Sequence, residues 1–241
     1  MRRFAPAALL VLTGSALLRV SLLSDLYLRY VKAGLRPLVI ASGVLLIALG
    51  VIAVIRDRRR PPTAPERHGP DEHDDHGHSH SPAGPRTAWL LAAPAVMLLL
   101  FAPPALGSYT VARDGSGAVA KRTVFPPLPA QDPLVLTLTD YGSRAVWDDK
   151  GSLKGRTVRL TGFVTPVDAT TWHLSRLIVT CCAADAKVVT VLIHGVPAPS
   201  TDSWVTVTGT WHQDTAGPAL DATGLTSIAT PKDQYQDTVQ P

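Results

Sequence analysis

The sequence is short of the residues on which enzymes and nucleic-acid binders depend. Of its 241 residues two are cysteine, two are methionine, 6% are aromatic and only 17% are charged. The two cysteines are adjacent, so no C-x-x-C spacing exists. No H-E-x-x-H, Walker loop or nucleophile elbow is present to hold a metal, a phosphate or an activated serine. These absences argue against an enzyme. The net charge of +4 forms no basic stripe interleaved with aromatics. Arg2, Arg3, Arg56, Arg58, Arg59 and Arg60 flank apolar segments instead, which argues against a nucleic-acid partner.

What the chain does have is segregation of apolar from polar residues. Ala5 to Leu23 is apolar apart from Thr13, Ser15, Arg19 and Ser21; Leu38 to Ile55 carries no charge; and Ala88 to Leu106 is apolar again. Each approaches the ~20 residues a helix needs to cross a hydrocarbon core of about 30 Å. Pro94 and the pair Pro103-Pro104 predict a third helix that kinks and then stops. The division expected is two transmembrane helices in 1–60, a His-rich disordered cytoplasmic linker in 61–86, a third transmembrane helix in 87–107, a linker in 108–130 and a β domain in 131–241. The arginine run after the second span puts the 61–86 connection inside, by the positive-inside rule. The loop Ser24 to Arg36 and the C-terminal domain then lie outside, as expected for a multi-pass protein of a bacterial cell membrane in contact with lipid. A rival reading makes the first segment a cleaved signal peptide, which leaves the downstream orientation unchanged.

The 61–86 connection contains His68, His73, His76, His78 and His80 among Glu66, Asp71, Glu72, Asp74 and Asp75. Its apolar content is too low for it to fold alone. Imidazoles with neighbouring carboxylates suit zinc, nickel or copper, so a metal-binding tether is one reading and a solvated polar linker is the other.

From Ala130 onward the pattern becomes that of strands. Runs rich in Val, Ile, Thr and Trp, bounded by Gly, Pro and Asp, predict strands near Thr157 to Val164, His173 to Thr180, Lys187 to His194, Ser203 to Trp211 and Leu220 to Ala229. A short helix is expected from Asp140 to Asp148, begun by an Asp cap, with Val146 and Trp147 on its apolar side. The fold class is therefore an N-terminal α-helical transmembrane region followed by an all-β domain. An OB-like barrel is preferred to a sandwich because the long first strand carries Gly162 where a barrel strand bends.

Cys181 and Cys182 are the candidate centre of chemistry. Adjacent strand residues point to opposite faces, so both thiols reach one site only at a turn or bulge. A vicinal disulfide, a soft-metal thiolate site and a pair of small buried hydrophobes all stay open. Arg176 and Asp185 flank the pair, either as a buried ion pair locking the strand end or as members of a site with the thiols. His173, His194 and His212 are dispersed further candidates.

Three stretches carry a family resemblance. Gly162-Phe163-Val164, the block from Arg176 through Thr180-Cys181-Cys182-Ala183-Ala184-Asp185 to Ala186, and Trp204 to Thr210 resemble the DUF1980 family, described as two-component permease subunits of the YcgQ type. The order of spans, His-rich connection and terminal β domain is similar too. The family's Pro-x-Pro-Tyr tail is partly matched, by Pro231 and Tyr235. The resemblance implies a partner, a larger multi-spanning permease, and a link to divalent metal, zinc above all. Three functional expectations follow: an accessory subunit of a permease complex with an outer binding or gating domain, a stand-alone metal-buffering membrane protein, and a thiol-disulfide redox protein.

Overall fold

The computed structural model describes residues 5–59, 105–114, 117, 119, 121–168 and 171–239. The chain divides into two compact units, Met1–Leu26 with Arg36–Pro104, and Tyr27–Leu35 with Ala105–Pro241. The connection between the first two helices thus belongs to the unit that contains the β domain.

In the first unit, α1 (Ala5–Leu22) and α2 (Arg36–Arg59) form from the two apolar runs. Pro37 falls in the first turn of α2, where its missing N–H leaves no intrahelical bond unmade, and Arg56, Arg58 and Arg59 fall in the last, where cations suit the helix dipole. Arg19 lies in the last turn of α1, where a cation suits the helix dipole. The two helices approach closely at buried glycines: a methyl group on Gly50 would lie 3.0 Å from the Ala7 carbonyl oxygen. Leu38, Val44, Leu45, Leu49, Ile52 and Ile55 face outward. Among the described residues one helix is long and apolar enough to cross a membrane, that of Ala33–Arg59; the other apolar helix is shorter. The His-rich connection and the expected third span lie outside the described residues, apart from Ala105–Gly107.

The second unit is built on a six-stranded sheet. Its strands are β1 (Leu134–Val135), β2 (Thr157–Pro166), β3 (Trp172–Ile178), β4 (Lys187–His194), β5 (Trp204–His212) and β6 (Ala219–Ser227). The order is β1-β2-β3-β4-β6-β5, and β2 pairs with β5 as well as with β3. The β1–β2 and β4–β6 pairs are parallel and the rest antiparallel. The five longer strands are those the alternation marks, within two residues at each end. The two-residue β1 has no periodicity to announce it.

Alternation along the strands sorts the side chains onto two faces. One carries the main core, with Val158, Leu160 and Val164 of β2, Trp172 and Leu174 of β3, Val191 and Ile193 of β4, Val205 and Val207 of β5 and Leu220 of β6. A helix, α3 (Ser108–Asp114), lies on the other face. There Val111 packs with Phe163, Leu177, Val188, Trp204 and Tyr235.

A second helix, α4 (Leu138–Trp147), puts Leu138 and Tyr141 into the main core. It starts two residues before the expected Asp140. Thr137 caps it by accepting from the Asp140 N–H at 3.0 Å, and Asp237 accepts from the Leu138 and Thr139 N–H groups at 3.1 and 2.7 Å. Asp140 sits in the first turn and pairs with Arg144 and Arg122 instead.

Two glycines are fixed by close approach. A methyl group on Gly162 would lie 2.7 Å from the Ser175 carbonyl oxygen, where β2 turns toward β3. At Gly209, beside the irregularity in the β5–β6 register, it would meet the Asp221 carbonyl oxygen at a still shorter distance. Backbone cannot retreat cheaply, so Gly209→Ala is expected to cost about 2–3 kcal/mol. Thermal unfolding of the full chain checks this, with an unchanged midpoint as the contrary result.

Candidate functional site

The thiols sit in the turn that follows β3. Asp185, in a short 3-10 turn spanning Ala183–Asp185, folds its carboxylate back to accept the N–H groups of Thr180 and Cys181, each at 2.8 Å. That tight turn supplies the departure from strand geometry that two neighbouring thiols need. The sulfurs lie 3.6 Å apart, with Cys181 exposed and Cys182 half-buried, and no disulfide joins them.

Electrostatics at the turn run against thiolate formation. The hydrogen bond to the Asp185 carboxylate, then the contact with Cys182, push the Cys181 pKa up to about 11. The same bond from Cys181, together with the backbone N–H donors, lowers the Asp185 pKa below the usual carboxylate value. A thiol held this way is a poor nucleophile at neutral pH.

The backbone of the turn is paired as well. Val31 and Cys182 form an antiparallel bridge, the Lys32 N–H donates to the Cys181 carbonyl at 3.1 Å, and the Ala183 N–H donates to the Tyr30 carbonyl at 2.7 Å. Residues 30–32 therefore lie along the thiol turn as a short strand would. Tyr27 is buried nearby in sequence, and its carbonyl accepts from the N–H groups of Tyr30 and Val31. Nothing in the apolar pattern of this segment signals that it pairs with a turn about 150 residues away, because a single bridge leaves no periodicity.

The other expected residues are held elsewhere. Arg176 is 1% exposed; its Nε donates to the Thr161 carbonyl at 3.0 Å and its Nη1 to the Gln236 carbonyl at 3.1 Å. The guanidinium also stacks over the Trp204 ring, 4.8 Å from its centroid. Burial lowers its pKa, and the Asp237 carboxylate opposes that shift. Among the described residues no ion pair joins Arg176 to Asp185. The arginine ties β2 to the C-terminal tail, and the aspartate orders the thiol turn.

The His194 and His212 rings lie tilted against each other with centroids 4.7 Å apart, and His212 Nδ1 lies 3.0 Å from Asp221 Oδ2. His173 faces the side of the sheet that carries α3. Burial lowers the His173 pKa, so the unfolded chain takes up its proton more readily than the folded one. The stability this ring contributes is full above about pH 6.5, is lost as pH falls through that value, and levels off once the folded ring also titrates. The unfolding midpoint of the wild type should therefore fall more steeply than that of His173→Asn between pH 7.5 and 5; parallel curves would exclude it.

His68, His73, His76, His78 and His80 lie outside the described residues. Among the described residues, no three His, Cys, Asp or Glu side chains are placed to hold a metal ion together. A closed zinc site takes four ligands. The thiol turn offers two sulfurs, and the nearest carboxylate is engaged with backbone amides, so these residues do not by themselves make one.

The sequence marks Tyr235 in the tail by resemblance alone and gives the tail no structural role. Tyr235 is buried among the side chains under α3, its hydroxyl accepts from the Leu106 N–H at 2.7 Å, and its carbonyl accepts from the Val179 N–H at 3.2 Å. With Gln236 receiving Arg176 and Asp237 capping α4, three consecutive residues strap the domain.

The second unit is thus a sheet domain with a strapped tail and a thiol turn paired to the connection between two apolar helices. Residues 121–236 match the model of the DUF1980 C-terminal domain, which supports assigning this domain to the DUF1980 family. No curated protein matches the chain.

Proposed function

We propose that the chain is an accessory subunit of a membrane permease complex, multi-pass in the bacterial cell membrane, with its C-terminal domain outside as a binding or gating module. The observation that carries this reading is the pairing of residues 30–32 with the thiol turn. A domain hydrogen-bonded to the connection between two apolar helices shares that connection's side of the membrane. The arginine run after α2 supports an outside location for both. A domain gripping this connection has a direct mechanical route to the helices, which a freely tethered binding domain lacks.

An OB-like barrel is the architecture we favour for this module. Its support is the cyclic pairing of the five longer strands, β2-β3-β4-β6-β5 and back to β2, with β4–β6 as the one parallel pair among them. The partner is a larger multi-spanning permease. Purification of the full chain from native membranes tests the reading. Co-migration with such a permease, lost when the permease gene is deleted, is the supporting result. A monomer indifferent to that deletion would overturn it.

A second reading, a thiol-disulfide pair, is favoured by the 3.6 Å separation of the sulfurs. It requires a two-hydrogen mass increase on reduction of the chain isolated under thiol-blocking conditions. A mass unchanged by reduction removes it.

A further inference from the structure

The face of the sheet under α3 carries more polar groups than it satisfies. Register places Thr165 of β2 opposite His173 of β3, and Ser175 of β3 opposite Thr190 of β4, so these four residues share one face. Thr165 is 4% exposed and Ser175 fully buried, and the hydroxyl of each is shut away without a hydrogen-bond partner. A buried hydroxyl left unpaired is destabilising, and native proteins hold few of them.

Thr165, His173 and Thr190 line a cavity of about 460 Å³. Most of its other walls are apolar, with Val111 of α3, Val167 after β2, Val188 and Leu192 of β4 and Pro218 before β6. Small-molecule sites have this make-up: a few hundred cubic ångströms, apolar walls and a few convergent polar groups. The charge of the lining narrows the ligand. Among the described residues no Lys or Arg lines the cavity, and its one carboxylate, Asp214, repels anions.

We infer that this cavity binds a small uncharged molecule with an apolar body and one hydrogen-bonding group, a phenol or alcohol small enough for its volume. The polar group is seated against Thr165, His173 and Thr190, and the apolar body lies between α3 and the β5–β6 loop. The inference rests on the reading of the outer domain as a binding module and names the class of molecule it takes.

The test uses the full chain in lipid nanodiscs, with 1-naphthol as the uncharged probe and 1-naphthoate as its anionic counterpart of similar size. The readout is the His173 ring resonance, identified by its disappearance in His173→Asn. The expected result is a saturable shift with 1-naphthol and at least tenfold weaker binding of 1-naphthoate. Thr165→Val should weaken 1-naphthol at least fivefold without lowering the unfolding midpoint, since it removes a hydroxyl that has no partner in the protein. Ala216→Trp, a change on the exposed loop at the cavity mouth, should also weaken it. No saturable shift, equal binding of the two probes, or unchanged binding in both variants would overturn the inference and leave a cavity that holds only water. Co-purification with the permease is read separately, so failure of one result does not carry the other.

Discussion

Replacing Arg176 by alanine is expected to cost about 3–5 kcal/mol, enough to unfold the C-terminal domain or bring it close to unfolding. The guanidinium is 1% exposed and sits where three parts of the domain meet: β2 through the Thr161 carbonyl, the tail through the Gln236 carbonyl, and the apolar face through the Trp204 ring. Truncation leaves two carbonyls without their donor and a void against an indole. Arg176→Lys keeps the charge but cannot span both carbonyls in a fixed plane, so it should recover only part of the loss. Deletion of residues 235–241 should destabilise by a comparable amount, because it removes the Gln236 acceptor, the buried Tyr235 ring and the Asp237 cap together. Denaturant unfolding of the full chain measures each. Additive losses in the combined variant would contradict the coupling, since residues acting through one contact are non-additive.

Replacing Asp185 by asparagine should make Cys181 far more reactive. The carboxylate is the first cause of the rise in the thiol's pKa to about 11, so at pH 8 only on the order of one thiol in a thousand is ionised. Because the thiolate is the nucleophile, wild-type alkylation should climb about tenfold per pH unit between pH 8 and 10. Asp185→Asn removes the charge and should raise the rate at pH 8 by tens of fold by the same relation. Peptide mass mapping distinguishes Cys181 from Cys182. An alkylation rate at pH 8 unchanged by the substitution would show that the carboxylate does not hold the thiol protonated.

Much of the fold is legible in the sequence because it rests on periodicity. The five longer strands follow from alternating apolar residues, and the helical runs of α1 and α2 from continuous ones. Gly162 is legible as a bend in the first strand; the close approach of the Ser175 carbonyl there carries no sequence signal. The start of α4 was misplaced by two residues because Asp140 is as good a cap as Thr137 in the sequence; Asp237, almost a hundred residues on, settles the choice. The candidate site was legible in its residues and not in its partners. Cys181 and Cys182 need a turn to come together, and Asp185 makes that turn. Asp185 as an ion-pair partner is one of two expectations for Arg176, the other being a shared site with the thiols; its bonds go instead to backbone carbonyls, which carry no sequence signature. Residues 30–32 and the tail contribute through single long-range contacts, and no local pattern records those.

The pairing of residues 30–32 with the thiol turn is the central claim, and one cross-link tests it most directly. Val31 and Cys182 face each other across an antiparallel bridge, where cysteines lie within the Cα separations a disulfide accepts. In full-length protein carrying Val31→Cys and Cys181→Ser, held in native membranes, mild oxidation should join Cys182 to the new cysteine. A protease site inserted in the 61–86 connection then cuts the chain between them. Two fragments that stay together until reduced are the expected result; fragments that separate without reduction would contradict the pairing.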